Sequence, residues 1–151
     1  MGARTGEIIK QYWDGFCQAE EITLFDTSAG ILKLAQEKLG EMNANIRYCS
    51  TYNEGVEESE LNKYDIVLAV NLLHTYEEPL KEVEWAALLL KREGDFYAIE
   101  YEEFDPMGIL ISGLLENGFV NRKRGRREHT PLLLLDDWKN IYGQAPFGEV
   151  A

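Results

Sequence analysis

The sequence predicts an α/β fold with a mostly parallel sheet and helices on both of its faces. Three observations predict it. Short apolar runs alternate with segments of helical period along the chain, which is the pattern of strand-helix-strand units. The run Tyr64-Asp-Ile-Val-Leu-Ala-Val70 is apolar without alternation, as in a strand buried on both faces. Finally, 151 residues with 45% hydrophobic and 28% charged residues match one globular domain.

In order, Gly2-Ala3-Arg4-Thr5-Gly6 precedes a helical stretch from Glu7 to Phe16. Residues 22 to 26 read as a strand ending in Asp26, and residues 28 to 39 as a helix with Ser28 as N-cap. Ile46 to Cys49 is the next strand. An acidic linker with Glu54, Glu57, Glu58 and Glu60 then reads as solvated. Tyr64 to Val70 is followed by a helix over residues 78 to 91, a turn at Gly94-Asp95 and a strand from Phe96 to Glu100. Helices are expected near residues 107 to 117 and 135 to 142. No internal repeat, low-complexity tract or interdomain linker interrupts this order.

Lys and Arg number 15 against 27 Asp and Glu, a net charge of −12. Such a chain repels polyphosphate and argues against non-specific binding to nucleic acid or an anionic membrane. No run approaches the roughly 20 apolar residues of a membrane span, and no signal peptide opens the sequence. A soluble, cytoplasmic protein is expected. Cys17 and Cys49 lack CxxC spacing and His neighbours, so buried thiols are expected rather than a metal site or a disulfide framework.

In sheets of this kind ligands bind beyond the carboxyl ends of the strands. Gly2 and Gly6 would let backbone N–H groups approach a ligand there, or they form an ordinary glycine turn. Asp26 stands twenty residues after Gly6, the spacing at which an acid binds a ribose hydroxyl pair. Its alternative role is an acid at the start of the following helix.

The run Tyr64-Asp-Ile-Val-Leu-Ala-Val-Asn-Leu-Leu-His74 resembles the fourth-strand motif FDLVIAANVLH of class I S-adenosylmethionine-dependent methyltransferases, in the form found in polyketide and nonribosomal peptide synthetases. Other segments resemble the same family in the same order. GARTG is similar to its glycine loop GAGTG, and LFDTSAGILKLAQEKL to TDISPAFLEAAREKL. GLLENGF…REHTPLLLLDDW is similar to a GLL…W…R…PLL…W segment after the fifth strand. The likeness runs from Gly2 to about Phe147.

The resemblance implies a Rossmann-like methyltransferase fold that binds S-adenosylmethionine. It implies that Gly2 and Gly6 pack against the methionine portion of the cofactor, that Asp26 accepts hydrogen bonds from the ribose, and that Asn71 lines the methyl-donor pocket. It further implies that His74, paired with Glu100 at the end of the fifth strand, removes a proton from a carbon between two carbonyls. The chemistry suits these residue types, because such a carbon is acidic enough for imidazole to deprotonate, while a carboxylate fixes the tautomer and stabilises the imidazolium. The substrate implied is a carrier-bound acyl or aminoacyl intermediate, and the partners are neighbouring synthetase domains.

The sequence departs from the family pattern at four places. Arg4 stands where the family has the middle glycine of its loop, and Cys49-Ser50-Thr51 where it often has an acid facing adenine. Met1 directly precedes the glycine loop, which leaves no room for the central first strand, and the final antiparallel strand pair is missing as well. The fold expected is therefore truncated over residues 1 to 151. Arg4 and the missing strand favour an alternative, a non-methylating pseudo-methyltransferase that is structural or epimerase-like. Arg122-Lys-Arg-Gly-Arg-Arg127 reads as a solvated loop or as a contact for a carrier domain.

Overall fold

A computed structural model describes residues 1–2, 5–42, 44–50, 58–101, 107 and 132–148. It divides into two units, Met1–Glu58 and Ser59–Ala151.

The first unit is built on a parallel pair of strands, β1 (Ile22–Phe25) and β2 (Ile46–Cys49), in the register Ile22↔Ile46 to Phe25↔Cys49. A parallel pair needs a crossover, and α3 (Ala29–Leu39) supplies it. The Ser28 hydroxyl accepts from the Ile31 N–H at 3.3 Å, so Ser28 is the N-cap expected. Leu32, Ala35 and Leu39 recur at helical spacing and are buried with Ile9 and Leu24. At roughly 1.5–3 kcal/mol for each large apolar side chain fully buried, this stripe is what holds α3 on the strands.

Upstream, the stretch read as one helix is two: α1 (Glu7–Gln11) and α2 (Trp13–Phe16), broken at Tyr12 with φ −113 and ψ 33. Gly6 caps α1 in the left-handed region, φ 72, and a Cβ there would lie 2.7 Å from Leu39 Cδ1. Both facts require glycine. Cys17 is exposed and Cys49 half-buried, which corrects the expectation of two buried thiols. Cys17 sits in the turn after α2 and its thiol donates to the Asp14 carbonyl at 3.3 Å, so no core surrounds it.

The second unit holds a parallel pair of β3 (Tyr64–Val70) and β4 (Leu90–Ile99), connected by α4 (Pro79–Leu89). Pro79 stands in the first turn of α4, where its missing N–H costs nothing. Pro79, Val83, Ala86 and Leu89 form its buried stripe. A last helix, α5 (Leu135–Gln144), packs on α4 and buries Trp138 and Ile141. The helix expected over residues 107 to 117 lies outside the described residues apart from Met107.

Two local expectations are corrected here. Gly94-Asp95 makes no turn, because β4 begins at Leu90 directly after α4. Tyr64 pairs with Leu90 and Ile66 with Asp95, so residues 91–94 stand opposite Asp65 alone, as a bulge. A Cβ on Gly94 would lie 2.9 Å from the Tyr64 carbonyl oxygen and 3.0 Å from that of Asp65. Glycine is there for close backbone approach, which has the same sequence signature as a turn. Glu60 is not solvated but 7% exposed. The Tyr64 hydroxyl donates to its carboxylate, and Lys63 Nζ lies 3.8 Å away, so the buried charge is compensated locally.

Candidate functional site

The site residues expected from sequence fall in the two units, three in each. In the first unit, Gly2 and Gly6 both have positive φ, 66 and 72, a conformation that side-chain-bearing residues resist. Ala3 and Arg4 lie outside the described residues. The loop is tied to α3 by Lys38, whose Nζ donates to Thr5 Oγ1 at 3.2 Å and to Glu7 Oε2 at 2.6 Å. That hydrogen bond, reinforced by the Lys38 charge, holds the Glu7 carboxyl below its ordinary value.

Asp26 follows the last residue of β1, and its backbone N–H still reaches the Cys49 carbonyl at 3.2 Å. One carboxylate oxygen accepts from the Ser28 N–H at 2.9 Å, so the acid does support the start of α3. The other oxygen makes no hydrogen bond among the described residues. The carboxylate is also near enough to Met1, the neighbour of Gly2, to act on its buried amine.

In the second unit, Asn71 directly follows β3 with φ 48, a left-handed conformation that asparagine tolerates better than most residues. Its N–H donates to the Ile99 carbonyl at 2.6 Å, and its side-chain oxygen is buried. The chain then enters a single 3-10 turn, Leu73–Thr75, that carries His74. The Thr75 hydroxyl closes the turn on the Leu72 carbonyl at 2.6 Å.

Glu100 follows β4 directly and meets this turn. Its Oε1 accepts from the Leu72 N–H at 2.8 Å and the Leu73 N–H at 2.7 Å. Its Oε2 lies 2.5 Å from His74 Nδ1. The two side chains are 4% and 13% exposed respectively. Three donors to one carboxylate satisfy a charge that would otherwise be costly to bury, and bonds to a charged acceptor are the strong ones. Since a carboxylate accepts, Nδ1 carries the hydrogen, which leaves Nε2 as the basic nitrogen. The imidazole is thus held in one orientation by the carboxylate.

The expected pairing of His74 with Glu100 is present, whereas the Leu72 and Leu73 amides were not anticipated, because backbone donors have no residue signature. Nor was Lys38, an ordinary helix lysine until the fold brings it to the glycine loop. Thr51 and the basic run 122–127 lie outside the described residues. Among the described residues no cluster of His, Cys, Asp and Glu could hold a metal ion, and no helix is long and apolar enough to cross a membrane.

A family model described as a methyltransferase domain matches residues 1–98. Highly reducing polyketide synthase 40 of Fusarium pseudograminearum (strain CS3096) is 29% identical over 122 residues, covering 79% of this chain and 5% of that synthase. The chain thus spans about a twentieth of that relative's length. Among solved structures, the DszA carbon methyltransferase superposes with a TM-score of 0.84 at 22% identity, covering 99% of this chain and 40% of that one. The citrinin polyketide synthase CMeT domain superposes with a TM-score of 0.81 at 21% identity, covering 100% of this chain and 40% of that one. These two likenesses establish the Rossmann-like methyltransferase fold.

Proposed function

Because the chain belongs to the methyltransferase domain family, we propose that it uses S-adenosylmethionine to methylate, at carbon, a carrier-bound acyl intermediate of a polyketide or hybrid polyketide-nonribosomal peptide synthetase. The observation that carries the choice of carbon is the His74–Glu100 pair, with Nδ1 2.5 Å from a carboxylate that two backbone amides also hold. A base so oriented suits removal of a proton from a carbon acid, which oxygen or nitrogen acceptors do not require to the same degree.

The residues of the first unit fit the cofactor. Gly2 and Gly6 supply positive-φ backbone that a side chain would not crowd, and Asp26 keeps one carboxylate oxygen for the ribose hydroxyls. Bound there, S-adenosylmethionine supplies an electrophilic methyl group on sulfur. His74 Nε2 takes the proton from the carbon between the two carbonyls, and the bond's electron pair stays on that carbon as an enolate. The imidazolium so formed is stabilised by the Glu100 carboxylate, which accepts from it as well as from the Leu72 and Leu73 N–H groups. Asn71 borders the same turn. Neighbouring synthetase domains are the partners that would present the substrate.

The test is methyl transfer to a β-ketoacyl thioester by the chain and two variants. His74→Ala should abolish transfer and leave S-adenosylmethionine affinity within about threefold, under roughly 0.7 kcal/mol. Asp26→Ala should weaken cofactor affinity first. An unaltered rate in the His74→Ala protein would remove the pair from the mechanism. No cofactor binding in the unaltered chain would instead favour a pseudo-methyltransferase scaffold.

A further inference from the structure

The segment that carries His74 is one 3-10 turn, Leu73–Thr75, and so brief a segment gains little from its own backbone bonds. Two of these are present, from the Thr75 N–H to the Leu72 carbonyl at 3.0 Å and from the Tyr76 N–H to the Leu73 carbonyl at 3.2 Å. Leu72 at the N-cap offers no side-chain acceptor. The Glu100 carboxylate takes that place and accepts from the Leu72 and Leu73 N–H groups. What holds the start of the turn therefore also holds the imidazole.

At the other end stands Thr75. Its hydroxyl donates to the Leu72 carbonyl at 2.6 Å, near the short end of the range for an O–H···O bond. That carbonyl already accepts from the Thr75 N–H, so the hydroxyl is not needed to satisfy it. Thr75 is also exposed, where water could serve the hydroxyl equally well. The consequence of the bond lies on the far side of the peptide. The Leu72 carbonyl and the Leu73 N–H belong to one planar unit, and that N–H donates to Glu100 Oε1 at 2.7 Å. A donor on the carbonyl fixes the plane and polarises it, which strengthens the N–H as a donor. An unbroken series thus runs from Thr75 Oγ1 through the Leu72–Leu73 peptide and Glu100 to His74 Nδ1, with hydrogen bonds of 2.6, 2.7 and 2.5 Å.

We propose that Thr75 is a positioning residue for the His74–Glu100 pair, its hydroxyl fixing and polarising the Leu72–Leu73 peptide so that the Leu73 N–H keeps the carboxylate against the His74 Nδ1–H. This role rests on the reading of that pair as the general base.

Hydrogen exchange of the whole chain, followed by NMR, tests it at single protons. Thr75→Val keeps the branched shape and loses the hydroxyl. In that variant the Leu73 amide and the His74 Nδ1–H, the latter identified by its loss in His74→Ala, should exchange about three- to tenfold faster, the range opened by losing one hydrogen bond of ordinary strength. The amides of the β3–β4 ladder should keep their rates. Thr75→Ser should restore both protons to the rates of the unaltered protein, and Thr75→Ala takes the place of Thr75→Val should the valine variant fail to fold. Unchanged exchange at Leu73 and His74 in the variant without the hydroxyl overturns the role. So does acceleration spread equally over the β3–β4 ladder, which makes the threonine merely structural, and so does a Thr75→Ser protein that exchanges as fast as Thr75→Val. Failure of the underlying reading shows separately: methyl transfer unaltered in His74→Ala removes the base, and the role of Thr75 with it, whatever the exchange pattern.

Discussion

At Glu100 one carboxylate orients an imidazole and also holds the turn that carries it, through the Leu72 and Leu73 amides. The two residues were legible through the resemblance of the Tyr64–His74 run to a methyltransferase motif and the place of Glu100 at the end of the next strand. The second duty was not, since it is made by main-chain groups. Gly6 carries a similar double constraint. Gly6→Ala should destabilise the protein by about 2–4 kcal/mol, summing the left-handed penalty and overpacking against the buried Leu39. Denaturant unfolding measures it, and a loss under about 0.5 kcal/mol would show that Leu39 yields. At the surface, Lys38 holds the Glu7 carboxyl low by a hydrogen bond. A depressed carboxyl contributes stability that is present above its unfolded value, about 4.3, and is lost as pH falls through the lower folded value. In Lys38→Met the NMR titration of Glu7 should move up towards the ordinary range, and no movement would exclude the pair as its cause.

Among the elements, β1, β2, β3, α3, α4 and α5 follow the apolar periods of the sequence closely, because each buries one stripe or one run whose spacing is local information. Boundaries failed where the deciding contact was distant. The α1–α2 break at Tyr12 interrupts no apolar period. The Gly94 bulge depends on the Tyr64 and Asp65 carbonyls thirty residues earlier, and Glu60 is buried through Tyr64 and Lys63 rather than by its own run. Gly94→Ala tests the bulge directly. Its new Cβ meets backbone oxygen atoms that cannot rotate away, so it should cost about 1–3 kcal/mol and disturb β3–β4 pairing. Amide exchange along β4 reports it, and unchanged protection would contradict the close approach.

For the whole molecule, charge and composition constrained the class and the family motifs constrained the chemistry, but the division into Met1–Glu58 and Ser59–Ala151 was not legible, because strand-helix units read continuously along the chain. The two units divide the labour proposed here. Gly2, Gly6 and Asp26 lie in the first, and the His74–Glu100 pair lies in the second. Their combination in one activity depends first on whether the chain holds the methyl donor. Calorimetric titration of the whole chain with S-adenosylmethionine measures this most directly. A single site with micromolar affinity, roughly −8 kcal/mol, that weakens in Asp26→Ala is the result predicted. No heat of binding, or binding indifferent to Asp26, would contradict it.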